Sequence, residues 1–291
     1  MRARGANEAS PAVELERAPH PVALYRRAAL GALPGSGARR LDALPDTELV
    51  LRGVAVDRAH LAAYDRVCGF RLADTLPPTY PHVLAFPLAM ALMTRPEFPF
   101  PMVGIVHVAN RITVHRPIDA AERLDLSVRA TGLRPHDRGR QLDVLASATV
   151  EGEEVWRGVS TYLHRERTPD GPRRRGVGDR PEPPAAAAVW RVQPRVGRDY
   201  AGVSGDRNPI HTSRLGARLL GFARPIAHGM WSKARCLAAL EGRLPDAYTV
   251  DVAFKLPIPL PSTVGFAARP GWTFSLHDTR SGKPHLAGTV T

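Results

Sequence analysis

The sequence predicts an α+β protein built as a tandem duplication, each half a helix followed by four strands. Three observations carry this. Helix-period apolar spacing gives way to strand-like runs twice along the chain. A stretch rich in Pro, Arg, Gly and Ala, from Arg165 to Ala188, separates the two occurrences. At 291 residues the chain has room for two domains of ordinary size, and its 44% hydrophobic content is enough for real cores.

Taken in order, residues 1–45 read as a partly disordered leader. Met1 to His20 mixes charges with Ala and Pro and lacks an apolar signal core. Residues 46–165 read as the first half. Its helix is Phe86 to Met93, and its strands are Gly104 to Val114, Leu124 to Leu133, Gln141 to Glu151 and Glu154 to His164. Residues 166–188 form the linker, which holds the densest basic run, Arg173-Arg174-Arg175. Residues 189–291 read as the second half. A turn-rich loop opens it. A helix over 229–241 follows, marked by Met230, Ala234, Leu237, Ala238 and Leu240. Its strands are Tyr248 to Leu256, Ser262 to Ala268, Gly271 to His277 and His285 to Thr291. Local detail agrees with duplication: the run from His107 to Ile112 stands where Asp251 to Leu256 stands in the second half.

The chemistry sits in the second half. The loop reads Tyr200-Ala201-Gly202-Val203-Ser204-Gly205-Asp206-Arg207-Asn208-Pro209-Ile210-His211, and Pro225-Ile226-Ala227-His228-Gly229-Met230 comes about fifteen residues later. On an ideal helix Asp206 and His211 would lie roughly 140° apart, so they converge only if the chain between them is irregular. Pro209 disfavours the α region for Asn208, and Gly205 is free to take positive φ. Histidine titrates near neutrality and can take or give a proton, while a carboxylate beside it can hold the ring or a water. The Asn208 amide could fix Asp206 or a substrate. Gly229 falls in the first turn of its helix, where N–H groups lack intrahelical partners and the helix dipole is positive. Such an N–H can stabilise a developing thioester enolate.

These two strings resemble the MaoC-like dehydratase family, which includes the (R)-specific enoyl-CoA hydratases (hydratase 2). The pattern there is Ser-Gly-Asp, any residue, Asn-Pro-(Leu/Ile)-His, then a His-Gly-Met/Leu helix start. The chain keeps Ser204, Gly205, Asp206, Asn208, Pro209, Ile210, His211, His228, Gly229 and Met230. The likeness covers roughly the last hundred residues well and the region before them weakly. It implies a tandem, or double, hot-dog fold, each half a curved antiparallel sheet wrapping a central helix. It also implies that Asp206, His211 and Gly229 are catalytic, with Ser204, Asn208 and His228 binding substrate. No metal and no redox cofactor are implied. The substrate is an acyl thioester of coenzyme A or of an acyl carrier protein.

The first half contains no such string. Aligning Ala85-Phe86-Pro87-Leu88 with Ala227-His228-Gly229-Met230 sets Pro87, which has no N–H, against Gly229. The first half is therefore expected to be non-catalytic and to supply an acyl-chain tunnel, with the Leu84-to-Met93 run as its lining.

Composition narrows the alternatives. The net charge of +12 invites a nucleic-acid reading, but only Lys233, Lys255 and Lys283 among forty basic residues are lysine, and aromatics are only 6%. The arginine excess resembles GC-rich codon bias, and no aromatic stacking surface accompanies it. A basic surface suits the phosphates of coenzyme A or an acidic carrier protein. No apolar run is long enough to span a membrane. Cys68 and Cys236 do not form a disulfide framework, and the eleven histidines show no zinc-ligand spacing. The chain is expected to be cytoplasmic, and either a monomer whose halves mimic a dimer or a homodimer. The reading is a 3-hydroxyacyl-thioester dehydratase, equivalently a trans-2-enoyl-thioester hydratase, in fatty-acid metabolism. Its rivals are a thioesterase and a non-catalytic subunit that binds acyl chains or a partner.

Overall fold

The computed structural model describes residues 11–31, 42–102, 104–166 and 184–291. The chain begins with β1 (Ala12–Glu14), α1 (Pro21–Gly31), β2 (Glu48–Val54), α2 (Arg58–Cys68) and α3 (Tyr80–Met93). Four long strands follow: β3 (Ile105–Val114), β4 (Leu124–His136), β5 (Gly139–Val150) and β6 (Glu153–Arg165). The second half opens with β7 (Ala188–Val192), α4 (Val196–Ser204), α5 (Pro209–Thr212), α6 (Arg214–Leu219) and α7 (Gly229–Ala238). It closes with β8 (Tyr248–Phe254), β9 (Ser262–Arg269), β10 (Thr273–Asp278) and β11 (Pro284–Val290).

The eleven strands among the described residues form one sheet, in the order β1-β2-β4-β5-β6-β3-β8-β11-β10-β9-β7. The duplication is visible in that order. The block β2-β4-β5-β6-β3 repeats in reverse as β8-β11-β10-β9-β7, with α3 and α7 as the two central helices. This is a double hot-dog fold. The halves join through antiparallel β3 and β8, where Asn110 lies opposite Val252 and Ile112 opposite Val250. Strand alternation sends one set of side chains inward. Ile112, Leu126, Val144, Val250, Val264 and Leu276 meet Leu88 and Leu92 of α3 and Met230 and Leu237 of α7 in a single core. On the opposite, outer face a concavity runs past Arg111, Asp251, Ala253, Ser275 and Ala287, away from the motif residues.

Four expectations change. Each half has five strands in the sheet, not four. β2 and β7 escape a pattern reading because Arg52-Gly53 interrupts one and the other is only five residues long. α3 starts six residues before Phe86, so Pro87 lies in the helix interior and not in its first turn. Pro81 occupies the first turn, and Pro87 costs only the bond that the Val83 carbonyl would have accepted. The helix expected over 229–241 ends at Ala238. Finally, part of the leader is folded: β1 pairs in parallel with β2, and α1 buries Leu24 and Ala28. Residues 167–183 of the linker, with Arg173-Arg174-Arg175, lie outside the described residues. No helix among the described residues is long and apolar enough to cross a membrane.

Candidate active site

The motif loop is built from turns that each use a named residue. Gly205 ends α4 in the left-handed region, at φ 74, and its N–H bonds the Ala201 carbonyl. The Asp206 N–H donates to Ser204 Oγ at 3.2 Å, and the Asn208 N–H donates to Asp206 Oδ1 at 3.2 Å. Asn208 stays extended (φ −52, ψ 126), as the following proline demands, and its Oδ1 caps α5 by accepting from the Ile210 N–H. Ser204 Oγ and Asn208 Oδ1 thus accept from the loop's own N–H groups, while the Asn208 N–H helps hold the Asp206 carboxylate. α5 then delivers His211. A Cβ on Gly197 of α4 would overlap the His211 carbonyl oxygen, so only glycine lets the helix approach this closely.

The second segment packs on the first. Ile226 N–H bonds the Ile210 carbonyl, and Ala227 N–H bonds the Ile258 carbonyl. These bonds set His228 immediately before α7 with ψ 140, and Gly229 as the first helical residue. The Gly229 N–H therefore has no intrahelical acceptor.

Asp206, His211 and His228 converge: a carboxylate oxygen and two ring nitrogens lie within 4.8 Å of one another. The imidazoles stack with ring centres 3.7 Å apart. His211 Nδ1 lies 2.8 Å from the Ile226 carbonyl. A carbonyl only accepts, so the neutral ring carries its proton on Nδ1 and turns the Nε2 lone pair to the site. His228 likewise donates from Nε2 to the Asp206 carbonyl at 2.9 Å, and the same nitrogen is 3.8 Å from Asp206 Oδ2. Burial lowers His211 below its usual pKa against the pull of Asp206, and lowers His228 to about 3. Both rings are neutral at neutral pH. Burial alone would raise the Asp206 carboxyl. His228 and His211, the Asn208 N–H and the Tyr25 hydroxyl outweigh it, so the group stays below the usual carboxylate range. The Asp206 side chain is 29% exposed, so it faces accessible space. At working pH the site presents an ionised carboxylate and an imidazole lone pair, two proton acceptors side by side. The same three side chains could group around a divalent cation, with one nitrogen of each ring already bonded to a backbone carbonyl.

The first half and the leader add groups that sequence reading missed. Tyr25 of α1 donates to Asp206 Oδ1 at 2.9 Å. His107 of β3 stacks on Tyr162 of β6 and meets Phe254 of β8 edge-on. Phe254 in turn faces Gly229: a Cβ there would stand 3.1 Å from its ring. His82 of α3 stacks over His107. Burial, with the Lys233 charge, lowers His82 to about 4; burial, then His82, lowers His107 to about 3. A small cavity beside them is bounded by His82, Ala85, Phe86, Ala89, Ser160 and Tyr162. Of the Leu84-to-Met93 run, Ala85, Phe86 and Ala89 line this cavity. Leu88, Met90 and Leu92 are fully buried in the core, because the helix turns its other face to the cavity. Lys233 of α7 is also fully buried, and its ammonium donates to Asn110 O, Asn110 Oδ1 and Val250 O. Three donors meet three acceptors at the seam between the halves.

Two hot-dog halves around one Asp/His site at a helix N-terminus define the class of protein. The comparisons with known proteins agree. The family model of the MaoC-like domain matches residues 180–270. The chain is 41% identical to 3-hydroxyacyl-thioester dehydratase X of Mycobacterium tuberculosis, over 91% of this chain and 95% of that protein. It is 26% identical to the enoyl-CoA hydratase ChsH3 of the same organism, over 75% of this chain and 78% of that one. The crystal structure of HtdX from M. tuberculosis superposes with a TM-score of 0.75 at 38% identity, over 84% of this chain and 98% of that one. The chain belongs to the MaoC-like dehydratase family.

Proposed function

We propose that this chain interconverts 3-hydroxyacyl and trans-2-enoyl thioesters, with Asp206 and His211 as its acid/base pair. It is a hydro-lyase of the 3-hydroxyacyl-thioester dehydratase type. The observation that carries the assignment of roles is the pair of proton acceptors, Asp206 and His211 Nε2, on one accessible spot.

In hydration, a water donates one hydrogen to each acceptor. Its oxygen attacks C3, and one of the pair takes the proton released. Neither group starts with a proton to give at the reacting atoms, so the proton delivered to C2 is the one taken from that water. The balance is H on C2 and OH on C3, and dehydration reverses every step. The Gly229 N–H donates to the thioester oxygen as negative charge grows there in the transition state, and the positive end of α7 assists. His228 holds the Asp206 backbone and stacks on His211. The first half acts in binding, through His107 of β3, which meets Phe254 beside Gly229. The product is the (R)-3-hydroxyacyl thioester, carried on coenzyme A or on an acyl carrier protein. We further read the chain as cytoplasmic, and as a monomer with an internal dimer or a homodimer.

The test is incubation with crotonyl-CoA and longer trans-2-enoyl-CoA, following loss of enoyl absorbance and then product chirality. Release of free coenzyme A and trans-2-enoic acid, with no 3-hydroxyacyl thioester formed, would identify a thioesterase and overturn the reading.

A further inference from the structure

We propose that Tyr25 is a positioning residue for this reaction: α1, outside the repeated hot-dog units, inserts a hydroxyl that fixes which oxygen of Asp206 faces the reacting water. The proposal rests on the dehydratase reading above and extends it to a segment 181 residues away in sequence.

The geometry is a three-point lock. Tyr25 Oη donates to Asp206 Oδ1 at 2.9 Å and accepts the Arg207 N–H at 2.6 Å. The Asn208 N–H donates to the same Oδ1 at 3.2 Å. A phenol hydroxyl is both donor and acceptor, so one atom ties the carboxylate to the peptide that follows it. The terminal torsion of an aspartate is broad and nearly two-fold, so an unpinned carboxylate exchanges its oxygens freely. Here two donors occupy Oδ1 and leave Oδ2 toward His228 and His211. The phenol is a permanent donor, since burial and then the facing Asp206 charge keep it protonated.

α1 is seated for this task. Leu24 and Ala28 are buried, flanking Tyr25 on one helix face. Pro21 lies against the turn at Gly205, its Cγ 3.9 Å from where a Cβ on that glycine would be. The helix thus packs on the turn that precedes Asp206 while its tyrosine holds the residue after it.

Tyr25→Phe keeps the ring and removes the hydroxyl. The expected result is a fall of about tenfold in kcat, since hydrogen bonds to charged groups are the stronger ones. KM should stay within about twofold and the melting midpoint near the parent's, because the packing is unchanged. Losing a donor raises the Asp206 pKa, so the acid limb of the kcat profile should move to higher pH. In an Asp206→Asn background the same change should cost less than about twofold, because the residue it acts through is gone. A parent-like kcat for Tyr25→Phe overturns the proposal. So does an equal loss in both backgrounds, or a loss of activity that only tracks a loss of stability with the acid limb unmoved. Parent-like turnover of Asp206→Asn overturns it too, whereas the dehydratase reading fails separately, if the parent protein does not hydrate enoyl-CoA.

Discussion

Replacing Gly229 by proline removes one N–H from the site and little else from the fold. The residue is the first of α7, where proline is tolerated and the N–H has no intrahelical partner to lose. The residue before a proline must be extended, and His228 already is, at ψ 140. At the new Cβ the steric cost is Phe254, whose ring lies 3.1 Å away and must yield by a few tenths of an ångström. Gly229→Ala meets that same ring but keeps the N–H, so the two variants share the crowding and differ in the donor. Loss of one oxyanion donor typically lowers turnover by about 10²–10³-fold. Gly229→Ala should lose less than that, with KM raised as Phe254 shifts. Gly229→Pro should fall below Gly229→Ala by at least about 10²-fold while melting within a few degrees of it. The assay is enoyl-CoA hydration at saturating substrate, paired with thermal unfolding. A folded Gly229→Pro protein within about threefold of Gly229→Ala would refute the oxyanion role.

Asp206→Asn and His211→Gln should each lower kcat by about 10²–10⁴-fold with the fold intact, and near-parent turnover would remove that residue from the mechanism. Stability should fall on acidification from about pH 6.5 to 4. His82, His107 and His228 have folded pKa values of about 4, 3 and 3, so through that window the unfolded chain binds more protons than the folded one. The loss is at most about 1.4 kcal/mol per pH unit for each histidine, and a flat urea midpoint across the window would contradict it. Gly197→Ala should destabilise by about 1–3 kcal/mol and depress activity, because its Cβ overlaps the His211 carbonyl. Gly202→Ala, in the same helix with nothing within 4 Å, should instead gain about 0.5–1 kcal/mol, and equal behaviour in denaturant melts would disprove the close-approach argument.

Local chemistry made the motif loop legible. The positive φ at Gly205 and the extended Asn208 before Pro209 follow from single-residue preferences, and both are present. The long strands were legible for the same reason, since β3 to β6 and β8 to β11 alternate over six residues or more. Reach across the chain was not legible. Nothing near Tyr25 in sequence points to Asp206. Ser204 and Asn208 are expected to bind substrate, and the loop adds a second task, since Ser204 Oγ and Asn208 Oδ1 accept from the Asp206 and Ile210 N–H groups. Lys233 did leave a signal. It shares the spacing of Met230, Ala234 and Leu237, so helix periodicity alone sends it inward.

The buried lysine also ties the two halves together. In this chain, α7 reaches across the β3–β8 seam through Lys233 to Asn110, a residue of the half without the motif. That half then lends His107 to the wall beside Phe254, and Phe254 abuts Gly229. The site therefore depends on residues from both halves, though the acid/base loop comes from one. α3 of the first half begins at Tyr80 and follows no such loop. It can carry Pro87 in its interior and turn Ala85 and Ala89, small residues, toward a cavity. Placing an acid/base loop before α3 as well would not restore a second site, because the helix would still begin at Tyr80, six residues upstream of Phe86.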